Sequence, residues 1–331
     1  MTARALEPGS RVCAVVVARI GDTLLATPAL RALRAVAGRL TVLVHPQREE
    51  ALRHLDFIDD LRSITKHSAW LRGRTLARAY DAAFCWGREP ALLRYCLRAA
   101  ARSYAFDYPE FASLQAAALT RVPVPAESSL HAVHERLRPV EAAAVQCKDF
   151  RLAYVVTDEE RRDARAWLSQ HAATGKPTVG LQPFSFPTKA HRDWPLDRFV
   201  ELARRILTEY PQARILLLGD ADARRRADAL RQLPGERLSV AAGTRSLRQS
   251  AALMQALDLY VGVDTGPTHL AGALGIPMIA LYHPRYPGRN LAPLDNPRCV
   301  AIEAPQDDMA SITVDQVWLA ARSQLQGRHG L

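Results

Sequence analysis

Leu259-Tyr260-Val261-Gly262-Val263-Asp264-Thr265-Gly266-Pro267-Thr268-His269-Leu270-Ala271 passes from a strand-forming apolar run, through a polar turn, into an apolar helix with proline in its first turn. Proline is favoured there because its missing N–H is one that a helix start leaves unpaired anyway. A continuous apolar strand followed at once by a helix is the repeating unit of a parallel sheet covered on both faces. The free N–H groups at such a helix start attract anions, so the backbone of Thr265 and Gly266 is a candidate phosphate cradle. Asp264 either caps the helix or holds a sugar hydroxyl. His269, one turn into the helix, is either structural or functional.

The same alternation extends in both directions. Val12–Ala18 reads as a buried strand followed by a helix over Thr23–Val36, and Leu40–Val44 and Ala82–Cys85 as further strands. Helices follow at Ala91–Ala101 and Leu130–Val145. A second series comprises Thr178–Gln182, Leu196–Glu209, Arg214–Leu218, Ala221–Gln232, Leu247–Ala256, Leu259–Val263 and Met278–Tyr282. The pattern predicts an α/β protein with two Rossmann-like halves, divided in the polar region 148–177 and assigned as residues 1–160 and 161–331. The final helix, near Thr313–Leu325, belongs to the second half by order; the sequence leaves open which half it packs on.

Ligands of doubly wound sheets bind beyond the carboxyl ends of the strands. Two further junctions carry polar residues there. Arg19-Ile20-Gly21-Asp22-Thr23 follows the first strand, and Asp22 is either a helix cap or a carboxylate facing the ligand as a general base. The segment Phe184–Pro195 follows Thr178–Gln182 and holds Thr188, Lys189 and Arg192, which can donate to phosphate oxygens and offset developing negative charge. The other reading is a surface loop anchored by Trp194 and Pro195.

The net charge is +10, from 44 basic and 34 acidic side chains. Between Arg62 and Arg102 nine basic residues face two acidic ones, Asp81 and Glu89, a net of +7. Such a stretch suits an anionic partner or is simply a solvated arginine-rich surface. Nucleic acid is disfavoured as that partner: aromatics are 7% of the chain and do not interleave with the basic residues. Five cysteines without a C-x-x-C pair argue for reduced thiols rather than a disulfide framework or a zinc site. No apolar run approaches the ~20 residues that span a bilayer, and the first eleven residues lack the apolar region of a secretory signal. A cytoplasmic protein is expected.

Three segments together carry a family resemblance. They are Arg19–Asp22 with Thr27–Arg34 (TPALRALR), Thr188-Lys189 followed by Trp194-Pro195-Leu196, and Gly262–Gly275 (GVDTGPTHLAGALG) followed by Pro277–Tyr282. In this order and spacing the chain resembles family-nine glycosyltransferases, the lipopolysaccharide heptosyltransferases. The resemblance implies a GT-B architecture, two Rossmann-like domains with parallel sheets facing a central cleft, the first for acceptor and the second for donor. It implies inverting transfer of heptose from ADP-L-glycero-D-manno-heptose, without a cofactor or an essential metal, to a Kdo–lipid A or partly built heptose core. That acceptor would be met at the cytoplasmic membrane face by a peripherally associated enzyme. Carried over by motif, Asp22 is the catalytic base, assisted by Lys189 and Arg192. Thr188, Lys189, Arg192, Asp264, Thr265, Gly266 and His269 bind the donor; Arg19, Arg72, Arg74 and Arg88 are the acceptor-side candidates.

Two departures stand out. Where the family has lysine two residues before the tryptophan, this chain has Arg192, with Lys189 three residues earlier. Where it has Gly-Pro-Thr-Asp-Pro after the strand at 277–282, this chain has His283-Pro284-Arg285-Tyr286-Pro287. The competing functions are transfer from another nucleotide sugar, a GT-B-fold epimerase acting without acceptor, a non-catalytic sugar-nucleotide binder and a nucleic-acid-binding module.

Overall fold

Val12 to Val16 are five consecutive apolar residues, and a strand can bury all of them only when both its faces are covered. In a computed structural model describing residues 5–72, 78–126, 129–171 and 175–327, they are at most 1% exposed and form the centre of a sheet. The chain divides into two compact units between Val155 and Val156.

The first unit contains strands β1 (Arg11–Val16), β2 (Arg39–Val44), β3 (Asp60–Ser63), β4 (Tyr80–Cys85), β5 (Ala100–Phe106) and β6 (Leu119–Val122). Its helices are α1 (Ile20–Leu25), α2 (Thr27–Val36), α3 (Lys66–Arg72), α4 (Pro90–Ala99) and α5 (Ala132–Glu141). The strands lie in the order β3-β2-β1-β4-β5-β6, every pairing parallel. This is the dinucleotide-fold order, and it reverses direction between β1 and β4, where such sheets open a crevice for ligands.

The second unit repeats the plan. It comprises α6 (Asp158–Gln170), β7 (Thr178–Gln182), α7 (Leu196–Glu209), β8 (Arg214–Leu217), α8 (Ala221–Arg226), β9 (Leu238–Val240) and α9 (Leu247–Gln255). β10 (Leu259–Val263), α10 (Gly266–Ala273), β11 (Met278–Tyr282), α11 (Gly288–Leu291), β12 (Cys299–Glu303) and α12 (Val314–Gln326) follow. Its sheet runs β12-β11-β10-β7-β8-β9, again all parallel, so its reversal falls between β7 and β10.

Sequence and structure differ in a few places. The helix expected over residues 23–36 is two helices, α1 and α2. Pro28 has no N–H to give to residue 24 and its ring crowds that carbonyl; the Thr27 hydroxyl takes the Leu24 carbonyl instead, at 2.6 Å. The helix expected over residues 221–232 ends as α8 at Arg226 and continues as a 3₁₀ turn over Asp228–Gln232. The unit division falls just ahead of α6 rather than within its first turn. Thr157 and Glu160 close a capping box that starts this helix, and Glu160 reaches Arg248 of α9, so α6 joins the second unit whole. The last helix, α12, buries Val317, Ala321 and Leu325 in the second unit's core and lies against α7, β10 and β11.

Candidate functional site

The loop after β1 carries the first candidate. Arg19 is the N-cap of α1, with extended backbone and no side-chain cap bond, and its side chain is exposed. Asp22 is the third residue of α1 and caps nothing; its Oδ1 accepts from Arg136 Nη2 at 2.8 Å. The Asp22 side chain is 38% exposed and that of Arg136 16%. Arg136 also reaches Glu135 at 3.1 Å. Burial works against its charge, but Asp22 and then Glu135 outweigh burial and hold its pKa above the ordinary guanidinium value. Its carbonyl accepts the Trp86 indole N–H at 2.8 Å, and the Trp86 backbone N–H donates to Val15 of β1. Arg88, exposed just beyond β4, stacks 4.4 Å above the Tyr108 ring. The carboxyl edge of β1, β4 and β5 thus gathers Asp22, Arg136, Trp86, Arg88 and Tyr108.

The remaining basic candidates are distributed differently. Arg72 is the last residue of α3, and its side chain and all of Arg74 lie outside the described residues. Arg62 is taken up by Asp60 at 2.5 Å. Lys66, Arg78, Arg94 and Arg98 are exposed, the first on α3 and the last two on α4, which packs against it.

In the second unit, β7 and β10 deliver the other two junctions to one place. Thr188, Lys189 and Arg192 sit in a 3₁₀ turn over Pro187–Arg192. That turn is braced from behind. The Asp193 carboxylate accepts the Ser185 N–H at 2.7 Å and its hydroxyl at 2.6 Å, and pairs with Arg226 at 2.6 Å. Trp194 is fully buried; it donates to the Ile312 carbonyl at 3.0 Å and meets Phe199 edge-on at 4.9 Å. The structure therefore contains both the loop anchor and the cationic turn that the sequence left as alternatives.

Asp264, 4% exposed, directly follows β10 and pairs with Arg192 Nη1 at 2.6 Å. It caps nothing, because the N-cap of α10 is Thr265. His269 is buried, with Nε2 3.7 Å from Asp264 Oδ1 and Nδ1 without a partner among the described residues. The Tyr260 hydroxyl lies 2.9 Å from the Thr268 hydroxyl, which donates to the Val263 carbonyl. This bracket holds the start of α10 against its strand. Gly262 makes room for it, since a Cβ there would lie 2.4 Å from the Tyr260 oxygen.

The segment after β11, where the chain leaves the family pattern, closes over the cations. Tyr286 lies 3.6 Å beneath the Arg192 guanidinium, and the Lys189 ammonium is 5.4 Å from the same ring. His283 meets His191 edge-on at 5.3 Å and lies 3.5 Å from Asp307. Burial lowers the His283 pKa, although Asp307 opposes the effect. The structure thus brings together Thr188, Lys189, Arg192, Asp264, Thr265, Gly266 and His269 around one strand–helix turn. Arg136, Trp86, Tyr108 and Tyr286 were missed. The signals of Arg136 and Trp86 are contacts across 50 or more residues, that of Tyr108 is its contact with Arg88 across the β4–β5 connection, and Tyr286 sits in the segment marked as a departure. Among the described residues no group of three or more His, Cys, Asp or Glu side chains is placed to hold a metal ion, and no helix is long and apolar enough to cross a membrane.

Known proteins share this fold. The crystal structure of a family-nine glycosyl transferase from Veillonella parvula superposes with a TM-score of 0.84, covering 98% of this chain and 100% of that one at 19% identity. The E. coli ADP-heptose lipopolysaccharide heptosyltransferase II superposes at 0.79, covering 97% and 100% at 17% identity. Two Rossmann-like units in one chain, with these neighbours, are the GT-B architecture. Lipopolysaccharide heptosyltransferase 2 of Salmonella typhimurium is 33% identical over 116 residues, 34% of this chain. That match spans about a third of the relative's length, 32%. The family model for glycosyltransferase family 9 (heptosyltransferase) matches residues 89–312, more than half of the chain and all of the cationic turn and the β10–α10 junction. The chain belongs to glycosyltransferase family 9, the heptosyltransferases.

Proposed function

We propose that this enzyme transfers a heptose, with inversion, from ADP-L-glycero-D-manno-heptose to the inner core of lipopolysaccharide. The observation that carries the reading is the placement of polar groups at both points of strand reversal: a carboxylate beyond β1, and Lys189, Arg192 and the Thr265–Gly266 helix start beyond β7 and β10. Donor binding falls to the second unit. The N–H groups of Thr265 and Gly266 at the start of α10, the Thr188 hydroxyl and Lys189 bind the diphosphate. Arg192 is committed to Asp264 on one side and to Tyr286 on its face, so it acts as the fixed charge of the site and Lys189 as the mobile one. Asp264, oriented by Arg192, holds heptose hydroxyls, and His269 backs it.

Asp22 takes the proton of the acceptor hydroxyl as that oxygen attacks the anomeric carbon and the bond to the diphosphate breaks. ADP leaves with its developing charge offset by Lys189 and Arg192; no metal is assigned to the step. Arg19 and Arg88 meet the carboxylates and phosphates of the acceptor. The site is read as acting on the cytoplasmic side of the membrane, with peripheral association. Support for that comes from α3, where Trp70 and Leu71 are 53% and 60% exposed beside Lys66, an arrangement suited to an anionic bilayer surface.

The test is an acceptor screen: purified enzyme, ADP-heptose and defined truncated lipopolysaccharides, read by mass spectrometry. A single heptose added to one core acceptor is expected. Consumption of ADP-heptose with no acceptor present, by hydrolysis or epimerisation, contradicts the reading.

A further inference from the structure

We propose that Arg136 is the positioning residue of the Asp22 carboxylate, a role that rests on the reading of Asp22 as general base. An acidic side chain at the third position of a helix can reach back to the N-cap N–H, and this one does not. Among the described residues its hydrogen-bond partner is Arg136, whose Nη2 lies 2.8 Å from Oδ1. A carboxylate 38% exposed has several side-chain rotamers open to it. A general base must instead present one oxygen within ~2.6–3.2 Å of the proton it takes. Fixing Oδ1 selects one rotamer and leaves Oδ2 for the acceptor hydroxyl.

Arg136 is itself immobilised. Its carbonyl accepts the indole N–H of Trp86, which is 5% exposed and bonded through its backbone to Val15. Helix α5 packs against α2 and touches α1 and β5. Asp22 is thus held from two sides of the same sheet edge, through α1 along the chain and through Trp86 and Arg136 across it.

A purely structural ion pair explains the arrangement less well. A buried arginine needs a counter-charge, and Glu135 already supplies one at 3.1 Å. With Glu135 offsetting part of the guanidinium charge, the fork orients Asp22 without presenting it with a full uncompensated cation.

The test is a double-mutant cycle with Asp22→Asn, Arg136→Gln and both together, each read by kcat, acceptor KM, ADP affinity and melting temperature. Because general-base catalysis contributes ~10²–10⁴-fold, Arg136→Gln is expected to lower kcat by about 10- to 100-fold in the wild-type background, with ADP affinity unchanged. In the Asp22→Asn background the same change is expected to alter kcat less than about twofold, because a residue acting through Asp22 has nothing left to position. Equal losses in both backgrounds overturn the inference, as does an Arg136→Gln enzyme with wild-type kcat. The base reading is judged separately, by Asp22→Asn alone. If Arg136→Gln fails to fold, Arg136→Lys replaces it in the cycle: it keeps the charge, loses the planar fork, and is expected to give a smaller kcat loss that again vanishes with Asp22→Asn.

Discussion

Removing the two cations of the donor turn one at a time separates a ligand-binding charge from a framework charge. Arg192 is 14% exposed and pairs with an Asp264 that is 4% exposed. Breaking a buried pair by deleting one partner strands the other charge and costs about 3–5 kcal/mol. For a folding unit of this size each kcal/mol corresponds to roughly 2–4 °C of melting temperature, so Arg192→Met is expected to lower the melting point of the second unit by about 6–20 °C. Lys189 has no ion pair among the described residues and rests its ammonium near Tyr286, so Lys189→Met is expected to leave the melting point within a degree or two. Its loss appears in the ligand instead. A charge-assisted bond to phosphate is worth about 1.5–3 kcal/mol, which raises the Kd for ADP about 10- to 150-fold. Calorimetric titration with ADP and differential scanning calorimetry on both variants supply the two readouts. Unchanged ADP affinity in Lys189→Met refutes its assignment to the diphosphate. A Lys189→Met melting point that falls as far as that of Arg192→Met refutes the division of roles.

Reversing Lys66, Arg94 and Arg98 to glutamate is expected to raise the acceptor KM several-fold more than the donor KM, an effect that added salt mimics because exposed charges are screened beyond ~10 Å at 0.1 M; equal changes in both constants contradict an acceptor-facing role. Glu160, half-buried and paired with the buried Arg248 of α9, has its pKa held down to about 2 from 4.5, chiefly by that guanidinium. A depressed carboxylate pKa stabilises the fold above the unfolded value, so the contribution is complete above pH 4.5 and disappears as the pH falls toward 2. Urea melts across that range are expected to show a loss that Arg248→Met largely removes, leaving the smaller part due to the Thr157 hydrogen bonds. Trp70→Ser with Leu71→Ser is expected to weaken sedimentation with anionic lipid vesicles while leaving ADP affinity unchanged.

The parts of the molecule legible in sequence are those where burial is continuous and local. β1, β7, β10 and β11 are wholly buried, or nearly so, because helices cover both faces, and α7 shows its buried stripe in Phe199, Leu202, Ala203 and Ile206. The ligand junctions were legible for the same reason, since each lies where such a strand stops. Edge and near-edge strands were not. Asp60–Ser63 and Cys299–Glu303 are only partly covered, so neither is a continuous buried run, and Ala100–Phe106 begins directly where α4 ends, with Arg102 within it. α6 was hidden by its charge: DEERRDARAWLSQ buries only Ala164, Trp167 and Leu168, although Thr157 and Glu160 spell a capping box at its start. The pairings that define the site are the least legible of all. Asp22 meets Arg136 across 114 residues and Arg192 meets Asp264 across 72, and no local pattern marks either. The alternatives for Asp22 and Asp264 were each framed as cap or ligand group; the structure shows both carboxylates turned away from their helix starts toward arginines.

The central claim is that Asp22 is the base. Steady-state turnover of Asp22→Asn with ADP-heptose and a core acceptor tests it most directly, with ADP affinity and a thermal melt as controls. Asparagine keeps the size of the side chain and an oxygen for Arg136, but cannot take the proton. The account predicts a kcat lower by about 10²–10⁴-fold, with ADP affinity and melting temperature close to wild type. Near-wild-type turnover would contradict it.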